Sequence, residues 1–476
     1  MNREDAETYL RLLAEAELRD PLSVRAPASA GAPSVTVPIK VTRVAWALTA
    51  VGALSRETAE DMLADVGLAL AVRHRPEPAG PPTVRRRIRR RTAAAPLTRG
   101  TGSASAGTPD RHVPVGRTLP FHDSMVSGQL DLISFSHTAR GARFTVSWRI
   151  RNLLGPSPAE WPFFQFIARD DRGHRYRPDF QMVGHPEAVC YLSLDPEPPR
   201  DMRWLDVTAP GEAAVRITLE REGAGIPDGA EAQVTETGLS SAEHLLNQIG
   251  HRLLAIAPQD LAAGPVSNIA TGLGETVAAL EAAEALSPLS PVPGRLAALC
   301  AGLSVSGHRI TAPPARDLPE PWFSLLAHYL RRKPDTVPAH DGFATMTAVL
   351  PELDGIRLVL LGVHNGDGRS WLHAQAAGRL LDEQYGPFGL DASFPFSVWI
   401  GDSGGRWHAA PPAYWFPDSG SHLAIGGRQP GGAGERALTL RLVPPLARST
   451  PWIKVLVCGR SAEVQARLPL RWASQP

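Results

Sequence analysis

The sequence predicts an α+β multidomain chain with two antiparallel β-sandwich domains of immunoglobulin-like type. Each sandwich is preceded by a helical segment, and the pair is read as an internal duplication. Three observations lead there. Two long stretches carry apolar residues at helical spacing, two others alternate apolar and polar residues with a period of two, and a Pro/Gly/Arg-rich segment separates the first helices from the first strands. The 476 residues include 43 Gly and 45 Pro, which argues against one all-helical bundle, and 43% are hydrophobic, enough for several cores.

In chain order, residues 1–75 read as a helical unit. Ala6, Tyr9, Leu10 and Leu13 fall on one face of a first helix. A second helix is expected over Arg43 to Leu54. Ser55 stands where an N-cap belongs, with Glu57 and Glu60 in the first turns of a third helix ending near Arg73. Residues 76–117 have almost nothing to bury and read as a flexible tether. Residues 118–224 form the first sandwich. In Arg143–Arg151 the residues Phe144, Val146, Trp148 and Ile150 share one face, and Val215–Leu219 repeats the alternation. Residues 225–335 are an Ala/Leu-rich helical connector, with helices expected over Ala242–Ala257, Ile269–Leu286, Gly294–Leu303 and Trp322–Arg332. Residues 336–476 return to strand character as the second sandwich.

Three segment pairs in the same order suggest the duplication. Phe164–Gly173 resembles Phe396–Gly405, Trp204–Pro210 resembles Thr439–Pro445, and Leu130–Ile133 resembles Ile356–Val359.

Charge and cysteine content narrow the function classes. With 49 basic and 48 acidic residues the formal net charge is +1, so no global field attracts nucleic acid or an acidic partner. Cys190, Cys300 and Cys458 are far apart and form no CxxC, which argues against a cysteine zinc site. The charged start Met1–Asp5 is unlike a signal peptide. Val44–Leu54 is too short to cross a bilayer, and no transmembrane segment is expected. A cytoplasmic chain is the expectation. Lysine occurs only at positions 40, 333 and 454, a skew expected of a GC-rich genome.

No catalytic constellation emerges, and no cofactor or metal site is expected. Gly401-Asp402-Ser403-Gly404-Gly405 has the form of the segment around a trypsin-like nucleophile. It lacks that family's histidine context, carries Arg406 where a proline belongs, and has no serine in the paired segment ending at Gly173. A hairpin turn is the expected structure, with a Ser403 hydrolase as the remote alternative. His244 and His251 could share a helical face without a ligand role. Asn365–Gly368 lacks the later acidic residue of a calcium loop, and Gly272–Glu275 lacks the context of a phosphate loop.

Two surface features remain. Arg85, Arg86, Arg87, Arg89, Arg90 and Arg91 put six arginines in seven residues, which could hold nucleic acid or an anionic lipid surface. Tyr414, Trp415 and Phe416 are consecutive between Pro411-Pro412 and Pro417-Asp418-Ser419-Gly420, so on a strand they cannot all face inward. They are the candidate protein-binding residues. The functional expectation is a non-enzymatic protein–protein interaction or scaffold protein, with self-association possible. The alternative is a regulatory factor tethered to nucleic acid or membrane through the arginine run.

Overall fold

The computed structural model describes residues 3–19, 39–73, 111–122, 126–138, 141–153, 166–181, 189–209, 213–219, 232–260, 273–303, 318–330, 342–366, 368–378, 395–412, 435–448 and 450–472. The chain is mixed helix and sheet, and the described sheets are antiparallel.

Helices α1 (Arg3–Arg19), α2 (Ile39–Ala50) and α3 (Arg56–Arg73) form the N-terminal unit. Ala6, Leu10 and Ala14 recur at i, i+4 and i+8 on α1 and bury against Val41, Val44, Ala45 and Leu48 of α2 and Leu63 of α3. The Ser55 hydroxyl accepts the Thr58 N–H at 3.2 Å, the N-cap of α3.

Unit 1 contains β1 (Arg111–His122), β2 (Val126–Thr138), β3 (Gly141–Leu153), β4 (Ile167–Asp170), β5 (Arg175–Gln181), β6 (Val189–Asp195), β7 (Trp204–Thr208) and β8 (Val215–Thr218). They make one eight-stranded sheet in the order β1-β2-β3-β6-β5-β4-β7-β8. Its halves face each other across one core in which Phe135, Phe144 and Val146 meet Leu205, Val207 and Ile217, so the sheet is nearly a barrel. The side chains of Trp148 and Ile150 lie outside the described ones. Strand β1 begins at Arg111, ahead of the strand character read from residue 118. Its Pro114 and Pro120 suit its place at the sheet edge, where a missing N–H costs no ladder bond.

After β9 (Ala232–Glu236) come α4 (Ser241–Asp260), α5 (Leu273–Ala282), α6 (Val292–Leu303) and α7 (Glu320–Leu330). Ser240 and Glu243 form a reciprocal capping box at the start of α4: the Glu243 N–H donates to Ser240 Oγ at 3.1 Å, and the Ser240 N–H to Glu243 Oε2 at 3.0 Å. Gly250 of α4 lies under Trp322 of α7; a Cβ there would sit 2.1 Å from the indole, so glycine is what lets these helices meet. Lys40 of α2 bridges Glu17 of α1 at 3.3 Å and Glu275 of α5 at 3.2 Å, and Ala279 joins the N-terminal core. The N-terminal helices are therefore docked on the connector helices.

Unit 2 contains β10 (Gly342–Val349), β11 (Ile356–Gly366), β12 (Arg369–Gly378), β13 (Ser397–Asp402), β14 (Trp407–Ala409), β15 (Glu435–Leu442), β16 (Trp452–Cys458), β17 (Ala462–Pro469) and β18 (Arg471–Trp472). One sheet runs β15-β12-β11-β10-β18 and the other β14-β13-β16-β17-β9, with one apolar core between them. Strand β9, from the segment read as helical connector, thus completes the second sheet through β17. Ala232 packs on that core while Gln233–Glu236 are exposed, so the strand gave no apolar stripe to read.

The two units share a strand order. Unit 1 reads β6-β3-β2-β1 joined to β5-β4-β7-β8, and unit 2 reads β15-β12-β11-β10 beside β14-β13-β16-β17. The ladder irregularities coincide as well. The β1/β2 register shifts between Pro114 and Arg117 and the β10/β11 register between Thr345 and Ala348; β2 bulges at Ile133 and β11 at Leu361. The Arg177↔Asp195 pairing has its counterpart in the Ala409↔Val443 bridge, and Asp195 and Val443 each precede a cis proline. This order makes Trp204 equivalent to Trp452 of β16, and not to the Thr439–Pro445 segment of β15 that sequence comparison matched to it. It pairs Leu132 with Leu360, two residues from the sequence match. Short strands of period two resemble one another on alternation alone, so only the ladder separates the choices.

Candidate interaction surfaces

The Gly-Asp-Ser-Gly-Gly segment is the turn between β13 and β14. The Asp402 carboxylate is buried beneath it and accepts the N–H groups of Gly404 at 2.8 Å and Arg406 at 2.9 Å. Gly405 takes φ +78°, a conformation glycine adopts without strain. Ser403 is exposed, whereas the nearby imidazole of His408 is buried. His408 Nδ1 donates to the Pro444 carbonyl at 2.6 Å, and its Nε2 faces Asp402 Oδ2 at 3.6 Å. Among the described residues no hydrogen bond joins Ser403 to His408, whose Nδ1 is committed to a backbone carbonyl and whose Nε2 faces a carboxylate.

Asp170 does the same work in unit 1. Its Oδ1 accepts Arg172 N–H at 2.9 Å and His174 N–H at 2.8 Å, and Gly173 takes φ +83°. Its Oδ2 accepts the His174 ring at 2.9 Å and the Tyr176 hydroxyl at 2.7 Å. Burial alone would raise the Asp170 carboxyl, but these four donors outweigh it and hold the group at about 2. Asp402 is likewise held below the ordinary carboxylate range: burial raises it, and His408 with the turn N–H groups pulls it down.

The units meet through β1 and β2 of unit 1 and β10 and β11 of unit 2. Ile133 is fully buried there; a Cβ on Gly362 would sit 2.9 Å from its Cγ2 and 2.8 Å from the Ala344 carbonyl. This contact is unusually polar. Asp131 is buried and accepts the Thr118 hydroxyl at 2.7 Å, while His364 Nε2 stands 3.9 Å from its other oxygen. His364 stacks on Trp371 at 5.5 Å and lies 6.3 Å from His373 between ring centroids. Burial, reinforced by His364, pushes His373 well below the usual histidine range, so it is neutral near pH 7. No group of three or more His, Cys, Asp or Glu among the described residues could hold a metal ion.

The remaining sheet faces differ sharply between units. In unit 2 the outer face of β14-β13-β16 is covered: Trp399, Ala409 and Leu456 bury among Leu246, Leu253, Leu325 and Leu326 of α4 and α7. His244 and His251, seven residues apart on α4, pin the helix to this sheet. His244 donates to the Pro395 carbonyl at 2.7 Å and His251 to the Val398 carbonyl at 2.8 Å. The His251 ring meets Trp399 edge-on at 4.5 Å. Burial lowers both histidines, His251 to about 4.

In unit 1 the equivalent face is open. By the shared register, Ile167 replaces Trp399, Thr208 replaces Leu456, and Arg169, Arg175 and Arg177 replace Gly401, Trp407 and Ala409. Ile167 is 41% exposed, and the three arginines are exposed. Arg216 pairs with Asp206 at 2.8 Å and lies over Trp204 at 3.8 Å, as Arg467 lies over Trp452 at 3.9 Å in unit 2.

Tyr414, Trp415 and Phe416 lie outside the described residues, as do Arg85, Arg86, Arg87, Arg89, Arg90 and Arg91. The open face of unit 1 was missed by sequence reading. Its trace there is the run of alternate arginines at 169, 175 and 177, interrupted by a turn. No described helix is long and apolar enough to cross a membrane. No protein-family model, curated protein or solved structure matches this chain.

Proposed function

We propose that this chain is a non-enzymatic cytoplasmic interaction protein built on two immunoglobulin-like sandwiches that are copies of one duplicated unit. The duplication is supported by the common strand order, the coincident bulges, the Asp170 and Asp402 turns and the two Trp–Arg pairs. With β1 set aside, three strands face four across the unit 1 core, as in sandwiches of the immunoglobulin class.

The observation that carries the functional reading is the contrast between equivalent faces. Trp399, Ala409 and Leu456 are buried under helices in unit 2, whereas at the equivalent positions of unit 1 Ile167 and Arg177 are exposed, beside Arg169 and Arg175. One copy has become part of a rigid helix-backed body while the other keeps a face available for a partner. Tyr414, Trp415 and Phe416 are a second candidate contact, from the chain between β14 and β15.

Recovery of the tagged full-length protein from native cytoplasm, with and without nuclease, tests the reading. A stoichiometric protein partner that survives nuclease is expected, with loss of capture when Tyr414, Trp415 and Phe416 are replaced by Ala or Arg169 and Arg177 by Glu. Recovery that vanishes with nuclease, and with Arg85–Arg91 neutralised to Gln, would overturn it in favour of a polyanion-tethered regulatory factor, the reading the arginine run supports.

A further inference from the structure

The open face of unit 1 carries a cost that a solvated sheet has no need of. Arg169 and Arg175 are directly opposite each other on β4 and β5, and Arg177 follows on the same side of β5. Like charges in register across an antiparallel pair repel. Asp206 is already engaged by Arg216 in a two-bond fork. Arg175 and Arg177 form no ion pair among the described residues. Beside them Ile167 leaves an apolar patch. An acidic surface is what this face lacks.

The chain itself carries such a surface. Glu57, Asp61 and Asp65 on α3 are exposed at i, i+4 and i+8, one stripe of one helix, and form no ion pair among the described residues. Residues four apart on a helix are about 6 Å apart along its axis, and residues two apart on a strand about 7 Å, so carboxylates and guanidiniums can meet in step. The equivalent face of unit 2 shows that this sheet surface accepts helices. Nucleic acid fits less well: Asp206 sits within the basic patch, and the Trp204 ring is already occupied by Arg216, leaving it unavailable for base stacking.

We infer that the open β5-β4-β7 face of unit 1 docks the α3 stripe of a second copy of this chain. Made reciprocally, the two contacts close a symmetric dimer. The inference rests on the interaction-protein reading and names the partner for this face.

Sedimentation velocity of the full-length chain at low and high salt tests it. The wild type is expected to form a dimer at micromolar concentration whose dissociation constant rises at least about tenfold with added salt. Arg169→Glu with Arg177→Glu should give a monomer, and so should Asp61→Arg with Asp65→Arg. An equimolar mixture of the two variants should regain the dimer, because each contact is again between opposite charges. All four positions are exposed, and recovery in the mixture also demonstrates that both variants fold; Arg169→Gln with Arg177→Gln repeats the first arm without added repulsion. A wild-type chain that stays monomeric at low salt overturns the inference. So does a dimer that persists in either charge-reversed variant, a mixture that stays monomeric, or single-stranded DNA that binds this face of a monomeric protein. A monomeric wild type that still captures a stoichiometric protein partner sinks this inference and leaves the interaction reading standing.

Discussion

Acidification should loosen the helical layer from unit 2, and His251 provides the lever. Its ring is buried between α4 and the sheet, donates from Nε2 to the Val398 carbonyl, and packs edge-on against Trp399. Burial holds it at about 4, against an ordinary value of 6.5. A histidine whose folded value is depressed costs nothing above its unfolded value. As pH falls below about 6.5, the unfolded chain takes up a proton that the folded one refuses, and stability is lost until the folded value is reached. At about 1.4 kcal/mol per pH unit, the loss from His251 is about 2.6 kcal/mol at pH 4.5 and reaches about 3 kcal/mol at pH 4.

His251→Phe isolates this group. Phenylalanine keeps a ring against Trp399 and cannot titrate. At pH 7 it forfeits one hydrogen bond, but Val398 still accepts the Ala410 N–H at 2.9 Å, so the cost is about 1 kcal/mol. The two stability curves should therefore cross: wild type is more stable at pH 7, the variant at pH 4.5, with equality at about pH 5.8. Urea unfolding at several pH values, followed by far-ultraviolet circular dichroism for the helices, measures the difference directly. His244 and His373 are common to both proteins and cancel. A difference between the two that stays constant from pH 7 to 4.5 would refute the reasoning.

Three further outcomes are expected. Gly250→Ala drives a methyl into the Trp322 indole and should cost about 2 kcal/mol or more, seen as a lower thermal midpoint for the helical layer; an unchanged midpoint would mean that α7 is free to shift. Asp170→Ala leaves four donors without their acceptor and should cost about 3 kcal/mol at neutral pH. Because the Asp170 carboxyl is held at about 2, its wild-type advantage persists above the ordinary carboxylate value and fades as pH falls from about 3.8 toward 2, which acid titration of both proteins would reveal. Ser403→Ala should change stability by less than about 0.5 kcal/mol, and a serine-reactive probe should leave wild type unlabelled; labelling lost in the variant would restore the hydrolase reading.

The helices were the most legible part of the chain. Ser55 as the N-cap of α3 and the stripe Ala6, Leu10 on α1 follow from local spacing, which three or four residues suffice to specify. The Asp402 turn was legible for the same reason: Asp-x-x-Gly closes a hairpin from its own atoms. Strand partnership was not. Trp204–Pro210 matches β15 on alternation as well as it matches β16, which holds the same place in the strand order, and β9 carries no apolar stripe to mark it as a strand of unit 2. These assignments depend on contacts between residues far apart in sequence.

The open face of unit 1 was hidden by a subtler physical fact. Arg169, Arg175 and Arg177 read in sequence as ordinary polar positions of half-buried strands, which they are. They become informative only beside Gly401, Trp407 and Ala409, the residues that occupy the same register under the helices of unit 2. Two units of one strand order supply an internal control: Trp399 and Ala409 are buried under helices in unit 2, whereas the equivalent Ile167 and Arg177 are exposed in unit 1, with Arg169 directly opposite Arg175. Solvation alone would be met equally well by mixed charges or by threonine, as at Thr208 and Thr218 on the neighbouring strands. Four arginines, at 169, 175, 177 and 216, share this face with one carboxylate, Asp206, and in a chain whose total charge is +1 the balancing acid is carried elsewhere on the same molecule, the exposed α3 stripe being one such place.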